Sequence, residues 1–280
     1  MELKNESIMK KKKLHILMFG AHPDDCEYLA GGSAYKYRLL GHEVKFVSIT
    51  NGDTGHYSIG VSELAEIRKN ESMCVSSITG IEYEILNIHS NGLEVDILTR
   101  ERIIRIIRSY GPDMIFTHRL YDYHPDHRRT AVLIQDSSYA VRVPNVCQDI
   151  PCLKYSPVIL YMQDNFKKPV EFTADIVIDI DDSIDKKTCM LNCHRSQFYE
   201  WLPWMDNELH FVPKDDKERL SWLKERQISI DGITAERFRS KLVDKYGKIS
   251  GMSIMCAEAF EISEYGRQLT KDMIKTFFPF

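Results

Sequence analysis

The stretch Leu14-His15-Ile16-Leu17-Met18-Phe19-Gly20-Ala21-His22-Pro23-Asp24-Asp25-Cys26-Glu27 decides how this chain is read. Its first half is a nearly unbroken apolar run, the mark of a strand buried on both faces. Its second half places one imidazole and two adjacent carboxylates at the point where that strand emerges. Charge is costly beside a core unless something binds there. Further along the pattern recurs. Met114-Ile115-Phe116 runs into Thr117-His118-Arg119-Leu120-Tyr121-Asp122-Tyr123-His124-Pro125-Asp126-His127.

Around these two segments, apolar runs alternate with helical patterns. Leu14–Phe19, Glu43–Thr50, Glu82–Ile88 and Asp113–Thr117 read as strands. Leu29–Leu40, Ser62–Thr79, the basic amphipathic Leu98–Tyr110 and Asp126–Val141 read as helices, and Gly41, Gly80 and Gly111 follow the ends of the first three. Regular β-α alternation predicts an α/β fold, a Rossmann-like and mostly parallel sheet with helices on both faces. Past Pro144 the rhythm changes. Pro157–Met162 and Asp175–Ile180 read as strands continuing or edging the same sheet. Asp182–Cys193 reads as a helix capped by Asp182 or Ser183, and Lys214–Lys245 as one or two charged surface helices. The expected organisation is a polar, flexible tail over residues 1–13 and one domain over 14–280, with a C-terminal elaboration from about residue 145.

At 280 residues the chain is long enough to bury a large core. A formal charge of −4 provides no bulk attraction to nucleic acid or anionic membranes. The seven cysteines include no C-x-x-C pair, which favours reduced structural thiols and a cytoplasmic setting over a disulfide framework. No apolar run approaches the length of an integral membrane segment. The composition is compatible with a homo-oligomer.

In an open α/β sheet, ligands bind beyond the carboxyl ends of the strands where strand order reverses. In a 3-2-1-4 arrangement the first and fourth strands are neighbours at that point, and here both end in His/Asp clusters. One divalent ion fits between them. His22 and Asp25, with either His124 or His127, make a His/Asp/His set of the kind that holds catalytic zinc with one position open. The other histidine is then left for acid–base work.

Taken together, Ala21-His22-Pro23-Asp24-Asp25-Cys26-Glu27 and His124-Pro125-Asp126-His127 resemble the LmbE/PIG-L family of zinc-dependent N-deacetylases. The resemblance runs from about Leu14 to Thr130. It continues weakly through His194-Arg195-Ser196-Gln197, similar to the family's C-terminal His-x-Ser-Gln stretch. It implies a Rossmann-like fold, one Zn2+ and removal of an N-acetyl group from an N-acetylglucosamine-type sugar or glycoconjugate. By motif position it implies His22, Asp25 and His127 as metal ligands, Asp24 as general base and His124 as general acid. Arg68, in Arg68-Lys69-Asn70-Glu71, matches the family's Arg-x-x-Glu and is expected to contact substrate. Asp53, Tyr123 and His194 are further substrate-binding candidates.

Other readings predict different things. An inactive carbohydrate-binding protein of the same fold would lose a base or an acid, and the set here is intact. A nucleotide enzyme would need G-x-G-x-x-G after the first strand, and Gly31-Gly32 lies too far downstream. A phosphoesterase bridging two ions would need more carboxylates. The cluster Phe198, Tyr199, Trp201 and Trp204 suits either sugar stacking or a satellite core.

Overall fold

The computed structural model describes residues 13–280, so the expected tail lies outside the described residues apart from Lys13. The apolar run becomes β1 (His15–Gly20), followed by α1 (Asp25–Leu39) and β2 (Glu43–Ser48). Next come α2 (Val61–Thr79), β3 (Glu82–Ile85), α3 (Ile97–Tyr110), β4 (Met114–Thr117) and α4 (Pro125–Ala140). Two further strands, β5 (Val158–Met162) and β6 (Ile176–Asp179), precede α5 (Ile184–Cys193). A π-helical turn, Gln197–Trp201, leads into the short α6 (Leu202–Met205). The chain then forms α7 (Asp216–Arg237), α8 (Arg239–Tyr246), α9 (Lys248–Ser253), β7 (Ala257–Ile262) and α10 (Lys271–Phe277).

The strands form one sheet in the order β3-β2-β1-β4-β5-β7-β6. The first five are parallel, and β7 runs antiparallel to both β5 and β6. The period-2 alternation of β1 divides the core between two faces. Ile16 and Met18 pack with Ala30, Ala34 and Met190 on one side. Leu17 and Phe19 pack with Ile103, Ile107, Leu133 and Ile134 on the other. Helices therefore cover both faces, as a continuously apolar strand requires.

The register pairs Ile16 with Met114 and Met18 with Phe116, which brings the ends of β1 and β4 side by side at the point of reversal. Two details depart from the sequence reading. Helix α1 begins at Asp25 rather than Leu29, because the Tyr28 N–H already bonds the Asp24 carbonyl at 2.9 Å. The regular apolar spacing starts only at Leu29, one turn after the backbone is already helical. Strand β7, for which the sequence pattern gives no sign, comes between β5 and β6 in the sheet that both of them join. Its alternation is disguised by Glu258, a buried carboxylate that accepts the Gly32 and Ser33 N–H groups and pairs with buried Lys187 at 2.8 Å. The Gly31-Gly32 pair thus lies inside α1, packed on the protein's own groups. All seven cysteines are free.

Candidate metal centre and active-site cleft

Gly20 ends β1 where no side chain fits, since an added Cβ would lie 2.8 Å from the Asp25 Cβ. Two residues after Ala21 the chain turns through Pro23 into Asp24, whose φ of 130° is a strained conformation for any residue but glycine. Strain of this kind persists where the surroundings over-determine it, commonly at functional sites. It separates the directions of two consecutive carboxylates. Asp25 turns toward the histidines, and Asp24 turns toward Arg68.

Asp25 is the hub. Its Oδ2 accepts the His22 N–H at 2.7 Å and lies 3.5 Å from His22 Nδ1, while Oδ1 lies 3.5 Å from His127 Nε2. Burial opposes its charge, but the His127 and His118 imidazoles hold its carboxyl well below the usual range. Two further carboxylates orient the rings. Asp122 accepts from His127 Nδ1 at 2.9 Å, which turns Nε2 toward Asp25. Asp126, fully buried, bonds His22 Nε2 at 3.0 Å and accepts the Asn91 N–H at 2.7 Å. A carboxylate behind each imidazole is the arrangement that fixes the tautomer of a metal-ligating histidine. Without an ion, burial works against charge on His22, yet Asp126 and Asp25 push its pKa up to about 9.

His118 also belongs to this cluster. It is the first residue past β4 and is buried, and its Nε2 accepts the Ala21 N–H at 3.0 Å, tying the ends of β1 and β4 together. The same atom lies 3.1 Å from Asp25 Oδ2. His118, Asp122 and Asp126 all lay in the second motif but were given no role at the metal. The signal available was that each sits at or just beyond the end of a buried strand. Among the described residues, two triads have donor atoms within 4.8 Å of one another: His22, His124 and His127, and Asp25, His118 and His127. His127 is common to both. Nitrogen and carboxylate donors at this spacing fit a single zinc-like ion.

His124 caps α4, with its Nδ1 accepting the Asp126 N–H at 3.2 Å. Burial and the neighbouring His127 and His22 rings push its pKa down to about 4. The neutral ring therefore carries its hydrogen on Nε2. Asp24 lies 3.1 Å from an Arg68 guanidinium nitrogen; burial, against the pull of Arg68, pushes its pKa up to about 6. Arg68 is a buried cation that also donates to the Pro23 carbonyl, so it is no solvated helix charge. Gly52, at φ +71°, lets the loop after β2 close over this pair, since a Cβ there would lie 2.9 Å from Pro23 and 3.1 Å from Arg68 Nε.

These groups line a cavity of about 430 Å³ together with Thr54, Gly55, Ser90, Asn91 and residues of the C-terminal elaboration. The other substrate-binding candidates lie elsewhere. Asp53 is buried in the loop behind the wall, bonding His89 Nδ1 at 2.8 Å and the Ser90 N–H at 2.9 Å. Tyr123 is 60% exposed and packs on Phe166. His194 is 0% exposed and bonds Glu27 at 2.7 Å. None of the three lines the cavity. The His-x-Ser-Gln stretch acts as a weld: His194 joins Glu27, Ser196 joins Glu71 at 2.7 and 2.8 Å, and Gln197 joins the Gly55 carbonyl at 3.1 Å. The aromatic cluster divides, with Tyr199 in a satellite core beside Leu191 and Leu223 while Trp201 reaches the cavity.

Residues 17–137 match the family described as PIG-L: GlcNAc-PI de-N-acetylase. The chain is 28% identical over 213 residues to the diacetylchitobiose deacetylase of Thermococcus kodakarensis, covering 71% of this chain and 76% of that protein. It is 27% identical over 226 residues to a probable N-acetyl-alpha-D-glucosaminyl L-malate deacetylase 2 of Bacillus cereus, covering 76% and 96%. Among solved structures, the 4-carboxy-2-hydroxymuconate hydratase GalB of Pseudomonas putida shares the fold, with a TM-score of 0.70, 20% identity and coverage of 91% and 98%. The fold therefore hosts more than one chemistry, and the reaction has to be argued from the site.

Proposed function

We propose that this chain, which carries the PIG-L/LmbE family segment at residues 17–137, is a zinc-dependent hydrolase that removes the acetyl group from an N-acetylated amino sugar. The observation that carries the reading is the meeting of His22, Asp25 and His127 at two adjacent strand ends. Asp126 and Asp122 orient the two rings, and Asp24 stands beside them, paired with Arg68 rather than with the histidines. His22, Asp25 and His127 would hold the ion. The chemistry it supplies when bound is polarisation of the acyl carbonyl and a lowered pKa for water.

Asp24, held by Arg68 at the cavity wall, takes the proton of the attacking water. His124 has its Nδ1 committed to the Asp126 N–H, which favours Nε2–H as a hydrogen-bond donor to the developing oxyanion over the proton-donor role implied by the family resemblance. The proton on Asp24 then passes to the amine as acetate leaves. Cleavage of one amide C–N bond consumes one water and gives acetate and free amine.

The test is acetate release from N-acetylglucosamine and its glycosides by the zinc-loaded protein, with and without chelator. Chelator-sensitive release is expected. Zinc bound with no release from any N-acetylated sugar would overturn the reading and leave a lyase-type or binding role on the same fold.

A further inference from the structure

The cavity has two unlike halves. Its floor is the histidine and carboxylate cluster. Its far wall comes from outside residues 17–137 and is built by Trp201, Leu202 and Pro203, with Leu223, Arg226 and Gln227 of α7. The π-helical turn, closed by the Leu202 N–H on the Gln197 carbonyl, carries Trp201 to this wall. Such turns are frequent at functional sites.

Trp201 is braced from several directions. It stacks on Trp204 at 5.3 Å and 17°, and Trp204 stacks on Tyr57 at 5.3 Å and 22°. Tyr57 in turn stacks on His56, whose Nε2 lies 2.9 Å from Glu200. The indole also lies against Gly55, where an added Cβ would sit 3.4 Å from its Nε1. A satellite core needs no such ring stack running out to exposed Tyr57 and Trp204. At the far end, Arg226 pairs with Glu208 at 2.5 Å and Asp206 at 3.2 Å. Asp206 and Arg226 line the cavity, and together with Glu208 the three side chains carry two negative charges against one positive.

From this we propose that the far wall is a subsite for an uncharged second sugar ring, stacked on Trp201, and that the excess negative charge of Asp206 and Glu208 over Arg226 selects against substrates with an acidic aglycone. The proposal rests on the deacetylase reading and deepens it. A pyranose has a flat C–H face for an indole and rim hydroxyls that donate to carboxylates. A hydrocarbon chain would desolvate the Arg226 ion pairs and return no hydrogen bond. An anionic group would meet like charge, and a repulsive element of this kind creates specificity.

The test compares the zinc-loaded full chain on N,N'-diacetylchitobiose, N-acetylglucosamine and N-acetylglucosaminyl malate, following acetate. Expected are the highest kcat/KM for the disaccharide and the lowest for the malate conjugate. Trp201→Ala should cut the disaccharide-to-monosaccharide ratio about three- to tenfold, with most of it retained in Trp201→Phe. Asp206→Asn should raise turnover of the malate conjugate relative to the disaccharide. A malate conjugate handled as well as the disaccharide, or a ratio unmoved in Trp201→Ala, would overturn the proposal. Calorimetric binding of the same three compounds gives a readout independent of turnover. If acetate release fails throughout, tighter disaccharide binding that weakens in Trp201→Ala sustains the subsite while the deacetylase reading falls. Equal binding of all three sinks the subsite.

Discussion

The floor and the far wall of one cavity are made in opposite ways. The floor is compact in sequence: two short segments at the ends of β1 and β4 supply its histidines and all but one of its charged groups, and backbone register alone makes them neighbours. The wall is assembled from the π-helical turn and α7, and is braced on the loop after β2 by side-chain bonds between Gln197 and Gly55 and between His56 and Glu200. The floor thus sits on the ends of two central, hydrogen-bonded strands, and the wall on helices and loops outside them.

The sharpest way to break this comparison is at the floor. Asp24→Asn should leave zinc stoichiometry intact and lower turnover by about 10²–10⁴-fold. Full activity in that variant would remove Asp24 from the chemistry. Next comes the layer behind the ligands. Asp122→Asn should weaken zinc affinity by about 10–100-fold, read by competition with a chelating dye, because His127 loses the group that fixes its ring. Unchanged affinity would mean that His127 is oriented by something else.

At the wall, effects should be smaller and of a different kind. Gln197→Ala removes one neutral hydrogen bond to Gly55, worth about 1 kcal/mol. It should raise KM several-fold while kcat stays within about twofold; a fall in kcat alone would show that wall and floor are not separable. The smallest effect concerns the weld. Burial opposes charge on His194, but Glu27 raises its pKa above the ordinary 6.5. A raised folded-state pKa contributes stability that is fully present below about 6.5 and is lost as pH rises through the folded value. Urea unfolding of His194→Gln and the parent chain should therefore differ more at pH 6 than at pH 9. A larger difference at pH 9 would mean that His194 is neutral in its pocket.

Much of the fold could be read because burial on both faces leaves an unambiguous record. The continuous apolar run Leu14–Phe19 required helices on both sides of β1, and they are there. Strand β7 gives no strand signal because Glu258 interrupts its apolar pattern while lying buried, its charge answered by Lys187 and two helix N–H groups distant in sequence. His194 was misplaced for a related reason. A lone histidine reads the same whether it faces a ligand or a buried Glu27. Among the described residues, no helix is long and apolar enough to cross a membrane.

What the sequence determined by itself was the strand ends and the kinds of groups on them, since hydrophobic period and motif spacing are local properties. What only tertiary structure decided was the distant partners: Asp126 behind His22, Arg68 against Asp24, and Trp201 opposite them both. Hydrogen bonds and ring stacks between residues tens of positions apart depend on where the sheet register brings their elements. That register comes from packing the whole core, not from any one segment.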